Sequence, residues 1–451
     1  MSGHALHPHT QLNCVQAIAI CTLGLFGPCG WGSETAVNDF QHLGVASCAS
    51  GVCHGKSGVQ GTHTAANLCS PKKEQDVALR EYFVWLQCDR HSAAYNRLSS
   101  KPGLDIAGKL GIANPQSAKI CLDCHADTAT GDKAGPKFKR TDGVGCEACH
   151  GGAQKWLEVH KNPKTPHSEN VRLGMYPSDQ PLARAQLCLS CHLGTRDKFA
   201  THVIMGAGHP RLSFELEAFT ANQPRHYVID ADYIARKGMI AGMNLWVTGQ
   251  LENAQRYLTL LQTPLLTSSG MIPELAFYDC FGCHHSTDNM RWTRERAGPN
   301  INPGTLRLQK QNLVMLQALA AVIAPESLPG LAAGTDQLIR AGQADPTTLR
   351  SAAQSLLEKL RSYDSWAVRS YTETDASNVR KMLVRYAADD KTSDFAVAEQ
   401  VVLGVESLSH SLNDYERRKT ALDVLYDKVK SGANFNPAQF ADAAKRVQSQ
   451  F

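Results

Sequence analysis

A five-residue pattern recurs four times in this chain and constrains everything else about it. It reads Cys121-Leu122-Asp123-Cys124-His125, Cys146-Glu147-Ala148-Cys149-His150, Cys188-Leu189-Ser190-Cys191-His192 and Cys280-Phe281-Gly282-Cys283-His284. Two thiols three residues apart lie on one helical turn and reach the two vinyl groups of a single porphyrin. The histidine that follows swings beneath the ring to ligate iron. Paired Cys-x-x-Cys units also build zinc ribbons, but a zinc site has no need of a histidine directly after every second cysteine. The pattern therefore predicts covalently attached haem c.

A stretched copy precedes these four. Cys48-Ala49-Ser50-Gly51-Val52-Cys53-His54 holds four residues between its cysteines. Two extra residues can loop out while both sulfurs still reach one porphyrin, so we read a fifth haem here; the competing reading is a disulfide beside an unrelated histidine. Cys48, Cys53, Cys121, Cys124, Cys146, Cys149, Cys188, Cys191, Cys280 and Cys283 are then the attachment residues. His54, His125, His150, His192 and His284 are the proximal ligands. Cys69 and Cys88 have no adjacent histidine and are expected to pair with each other in an oxidising compartment.

Five irons need further ligands, which changes how the remaining histidines are read. His91 follows a helix expected over Lys73 to Leu98, with Val77, Tyr82, Trp85 and Leu86 inward. His160 follows a short helix expected from Gln154 to Val159. His202 and His209 stand seven residues apart, two turns on one helical face. We take His91, His160, His202 and His209 as distal ligands. His63, His167, His226 and His285 are left over, as acid–base groups or further caps, with His285 favoured as a propionate partner. Arg291 and Arg294 are candidates to neutralise propionates.

The chain has 451 residues and a net charge of +4, spread without a basic run, which argues against nucleic acid as a partner. Val15 to Phe26 is apolar, of signal-peptide length and too short to span a bilayer. Residues 1–33 are thus expected to be a leader carrying Cys14, Cys21 and Cys29 away, leaving a soluble periplasmic or extracytoplasmic protein. Cys29 as a lipid anchor is less favoured, because Phe26-Gly27-Pro28 makes a poor lipobox. Residues 34–297 form the expected pentahaem domain. From 298 to 451 there is no cysteine and only His410, and apolar residues recur at helical spacing, as in Leu349, Ala352, Ala353, Leu356, Leu357 and Leu360. Asp345-Pro346 and Asn436-Pro437 read as helix starts. About six helices should form a cofactor-free bundle. No alternating pattern suggests a strand, so the fold class is mainly α with long haem-bound loops.

Cys48 to His54, the helix ending at His91-Ser92-Ala93, Gly143 to Gly152 with His160 behind it, Gly206 to Arg211, and Asp279 to His285 together resemble cytochromes of the c-554 type. The likeness runs from about Cys48 to Trp292. It implies that His160 pairs with His54, that His91 pairs with His150 or His192, and that His202 and His209 serve two of the others. It also implies that the haem on His125 is the one with an open position. Three functions stay in play: an electron carrier between redox proteins, a redox enzyme acting on a small nitrogen or sulfur species at the His125 haem, and a subunit docked through residues 298–451 onto an enzyme or a membrane quinol oxidase. No Cys-x-x-Cys-Lys site is present, against the pentahaem nitrite reductase pattern.

Overall fold

The computed structural model describes residues 40–57, 68–69, 79–238, 242–268, 270, 272–285, 305–389 and 394–451. The leader, His63, Arg291 and Arg294 lie outside these. Val37–Phe451 forms one compact unit. Helices joined by loops make up the described residues, and pairing is limited to two isolated bridges, His42 with Ala134 and Tyr278 with Leu308. The mainly α fold class holds.

Seven helices fill the C-terminal part: Gln311–Ile323, Leu328–Ala341, Pro346–Arg361, Glu373–Ala388, Phe395–Ser411, Tyr415–Val429 and Pro437–Val447. Their ends are set locally. The Asp345 side chain accepts from the amides of Thr347 and Thr348, with Pro346 in the first turn. Asn436 accepts from Gln439 ahead of Pro437, and Thr372 forms a reciprocal capping box with Asp375. The six apolar positions read from 349 to 360 are all buried.

The helix Gly242–Leu261 is the spine of the molecule. Most of its residues are buried around its whole circumference, as expected of a helix packed on every side. Pro346–Arg361, Gln311–Ile323 and Phe395–Ser411 pack on it, and so does Pro181–His192, which ends in a Cys-x-x-Cys-His pattern. One apolar core therefore runs from Met243 through Phe277 to Phe451. The sequence boundary near residue 298 separates cysteine-bearing from cysteine-free chain, while the core spans both.

Local structure departs from the expected helices where polar side chains or glycines intervene. The stretch expected as one helix to Leu98 is Glu81–Cys88, a 3-10 turn Arg90–Ala93, and Ala94–Arg97. Asp89 breaks it by accepting the His91 amide, the local competition that short acidic side chains offer a helix. Val84 is its buried residue, and Leu86 is exposed. Gln154 to Val159 forms turns rather than a helix. Tyr233 to Pro264 reads in the sequence as one long amphipathic helix, but the structure has two, Ala231–Lys237 and Gly242–Leu261, with Gly238 at φ +78°. Cys69 and Cys88 form the expected disulfide, Cα atoms 5.3 Å apart.

Candidate functional site

Each Cys-x-x-Cys-His pattern sits on a short helical turn: Lys119–His125, Cys146–His150, the end of Pro181–His192, and the 3-10 turn Cys280–Gly282. Cys146–His150 is the most tightly fixed. Buried Glu147 accepts from the amides of Leu43, Gly44 and Ala153 at 2.7, 2.7 and 2.8 Å. A side chain at Gly143, φ +71°, would collide with the carbonyls of His91 and Ser92, so glycine alone lets these strands of chain cross. The last is held by the bundle. Phe281 lies 4.4 Å from Phe395, and Asp279 faces Arg307. Burial and the charge of Asp394 push Asp279 up to about 6.

The histidines pair. Ring centroids are 6.2 Å apart for His54 and His160, 6.3 Å for His125 and His209, and 6.1 Å for His150 and His226. They are 6.2 Å apart for His91 and His192, and 6.2 Å for His202 and His284. A metal–imidazole bond is about 2 Å, and a ring nitrogen lies about 1 Å from its centroid, so two imidazoles facing each other across one ion have centroids about 6 Å apart. All five pairs have that separation, and each contains one histidine from a Cys-His pattern. Among the described residues no group of three or more His, Cys, Asp or Glu is arranged to hold a metal ion. Two nitrogens and two thiols would suit tetrahedral zinc by composition, but among the described residues they do not converge on one metal position, whereas imidazoles opposed across one ion, beside a thiol pair, fit iron in a porphyrin.

Second partners orient several rings. His54 Nδ1 bonds Glu81 at 3.0 Å and His91 Nδ1 bonds Asp89 at 2.8 Å. His125, His160 and His209 bond the carbonyls of Ala94, Leu157 and Pro210 at 2.9, 2.6 and 2.8 Å. Such contacts fix tautomer and ring plane in a ligating histidine. Burial holds His150 down at about 3, with His226 and Lys237 adding to it. Burial alone would raise Asp89, but hydrogen bonds with His91 and Gln223 and the His91 charge outweigh it and hold it at about 2.

Several expectations change. The resemblance implied an open position opposite His125; instead His209 stands there. The helix His202–Gly206 ends at Ala207 and Gly208 takes φ +118°, which turns His209 away from the His202 face. The two histidines leave from different faces, His209 toward His125 and His202 toward His284. His226, left over in the sequence, faces His150; it sits in a loop with no motif around it, and only its ring's position singles it out. His167 is engaged by Asp179 at 3.0 Å. Glu81, Asp89 and Glu147 were not expected as site residues, and no local pattern marks them.

Numbered along the chain from His54 to His284 as sites 1 to 5, the sites neighbour one another out of order. The Cys48 sulfur of site 1 lies beside Cys146 of site 3. The Cys124 sulfur of site 2 lies beside Cys191 of site 4. Cys149 of site 3 lies within electrostatic reach of Cys188 and Cys191. His209 and His202, facing sites 2 and 5, flank one five-residue helix.

Thiol pairs followed by histidine, on a helical scaffold that opposes imidazoles at metal-bridging distance, define a c-type cytochrome, an electron-transfer protein with haem c as its cofactor. Residues 79–151, from the start of the Glu81–Cys88 helix through His150, match the family described as cytochrome c554 and c-prime. Over that segment the chain is similar to that family. No curated protein and no solved structure matches the chain.

Proposed function

We propose that this protein is a periplasmic pentahaem electron carrier whose five haems each have two histidine ligands. The observation that carries the reading is the common separation of the five imidazole pairs. Bound haem supplies the one-electron couple at each site. The chain's own residues do the rest: Cys48 and Cys53, Cys121 and Cys124, Cys146 and Cys149, Cys188 and Cys191, and Cys280 and Cys283 tether it. His54 with His160, His125 with His209, His150 with His226, His192 with His91, and His284 with His202 would each ligate one iron. Two histidines on each iron would leave no place for a small substrate, which favours a carrier over an enzyme. The sulfur contacts suggest that sites 1, 3, 4 and 2 follow one another, with site 5 beyond site 2, a connected route between redox partner proteins. No helix among the described residues is long and apolar enough to cross a membrane, in keeping with a partner protein reached from solution. The membrane quinol oxidase reading needs residues 298–451 as a dock, yet their apolar faces are spent on the shared core.

Two measurements test this. Mass spectrometry of the mature chain should find five haems. The oxidised protein should be wholly low-spin and unchanged by cyanide or nitric oxide. A high-spin component titrating with one equivalent of either ligand refutes the carrier reading and restores the enzyme.

A further inference from the structure

We propose that Glu81, together with the near-parallel rings of His54 and His160, makes site 1 the hardest of the five to reduce. The inference rests on the five-haem reading above. The ring planes of His54 and His160 differ by 10°. Those of His125 and His209, His150 and His226, and His91 and His192 cross at 87°, 85° and 83°, and those of His202 and His284 at 32°.

Axial imidazoles donate π density to iron perpendicular to their own planes. When the planes coincide, both rings raise the same iron orbital, and the oxidised ion, with one electron missing from that set, gains most. Crossed rings divide their donation between two orbitals, and the oxidised ion gains less. Coplanar rings therefore favour the oxidised state.

Glu81 acts in the same direction by a separate route. Its Oε2 takes the hydrogen bond of His54 Nδ1 at 3.0 Å, and the backbone locks the contact, with the Tyr82 amide donating to the His54 carbonyl at 3.0 Å. A carboxylate on the far nitrogen raises the basicity of a ligating ring and places negative charge near the oxidised metal. Asp89 does this for His91 at site 4, where the rings are crossed. At site 2 both rings give their protons to neutral carbonyls and are also crossed. Site 1 has both devices, site 4 one, and site 2 neither. An electron delivered at site 1 by a reduced partner protein is thereby driven inward, toward site 3.

The test is a stepwise reductive titration of the haem-loaded protein, followed by low-temperature EPR and optical spectra. Coplanar pairs give a rhombic low-spin signal and crossed pairs a strongly anisotropic one. His160→Ala, which removes one low-spin signal and creates a high-spin one, identifies the site 1 signal. We expect that signal to be the last to disappear on reduction. Glu81→Gln should favour its reduction about tenfold, a rise of about 59 mV for a one-electron couple, and Glu81→Asp should largely reverse the change. Loss of the site 1 signal before the anisotropic ones overturns the proposal, as does an unmoved potential in Glu81→Gln. The order of reduction in the unsubstituted protein decides the matter even where Glu81→Gln does not mature. If site 1 is high-spin in the unsubstituted protein, the five-haem reading fails instead.

Discussion

The two parts of this molecule are held together by different means. Beyond residue 305 the helices share a continuous apolar core in which Leu338, Leu360, Leu383, Val401, Leu408 and Phe440 are wholly buried. From residue 40 to 238 the apolar clusters are small: Leu68 with Val84; Leu98, Leu122 and Ala126; Ala185 and Leu189 with Phe214, Leu216 and Leu245. What organises that part is polar, such as Glu147 gathering the amides of distant Leu43 and Gly44 with nearby Ala153, and Asp89 capping His91. A chain that buries so little apolar surface of its own relies on its prosthetic groups to complete the interior, as small domains rely on metals. The contrast implies that haem would complete the interior of the first part, whereas the helices beyond residue 305 bury a core of their own.

The sharpest way to break this contrast is to withhold one haem. Cys146→Ala with Cys149→Ala should lose one haem by mass spectrometry and expose residues 79–238 to limited proteolysis, leaving the fragment beyond residue 305 resistant. Cleavage spread evenly over both parts would show that the contrast is false. A core truncation probes the other side. Leu408→Ala should cost about 2–5 kcal/mol in urea unfolding with the oxidised haem spectrum unchanged.

An acid titration sharpens the comparison further. Burial would raise Asp414, but the paired hydrogen bonds from buried Arg380 and the bond from Arg418 outweigh it and hold it at about 2. A carboxyl whose folded value is depressed stabilises the fold above its unfolded value of about 4, and this is lost as pH falls toward 2, about 2 kcal/mol in all. Asp414→Asn should flatten that part of the pH profile of bundle unfolding. It should also destabilise the protein at neutral pH by about 3 kcal/mol, because Arg380 is left buried without its partner. A profile unchanged between pH 4 and 2 would remove the pair from the account. The smallest expected effect on stability is His226→Ala, which should turn one haem high-spin by EPR while haem content and urea midpoint stay close to the parent. A spectrum that remains low-spin would dissolve the pairing with His150.

The bundle was legible because its determinants are local and periodic. Asp345-Pro346, Asn436-Pro437 and the run from Leu349 to Leu360 each carry their instructions within a turn or two of helix. The same reasoning overextended the helix before His91 and merged the two helices around Gly238, where one side chain or one glycine decides the break. For the cysteine-bearing region, the candidate attachment residues stand out in the sequence because two thioethers and a ligand to one porphyrin must come from adjacent positions in the chain.

By itself, then, the sequence marked Cys48 to His54 and the four Cys-x-x-Cys-His patterns as thiol pairs beside a histidine, and determined the helical character of residues 305–451. Only the tertiary structure decided which distant histidine faces which of these sites: His226 opposite His150, His209 opposite His125, His202 opposite His284. The physical reason is one of range. A proximal histidine is placed by the helical turn it shares with its cysteines, whereas a distal one is placed by the turn at Gly208, the break at Asp89 and the packing of loops far apart in the chain, and none of these leaves a pattern around the histidine itself.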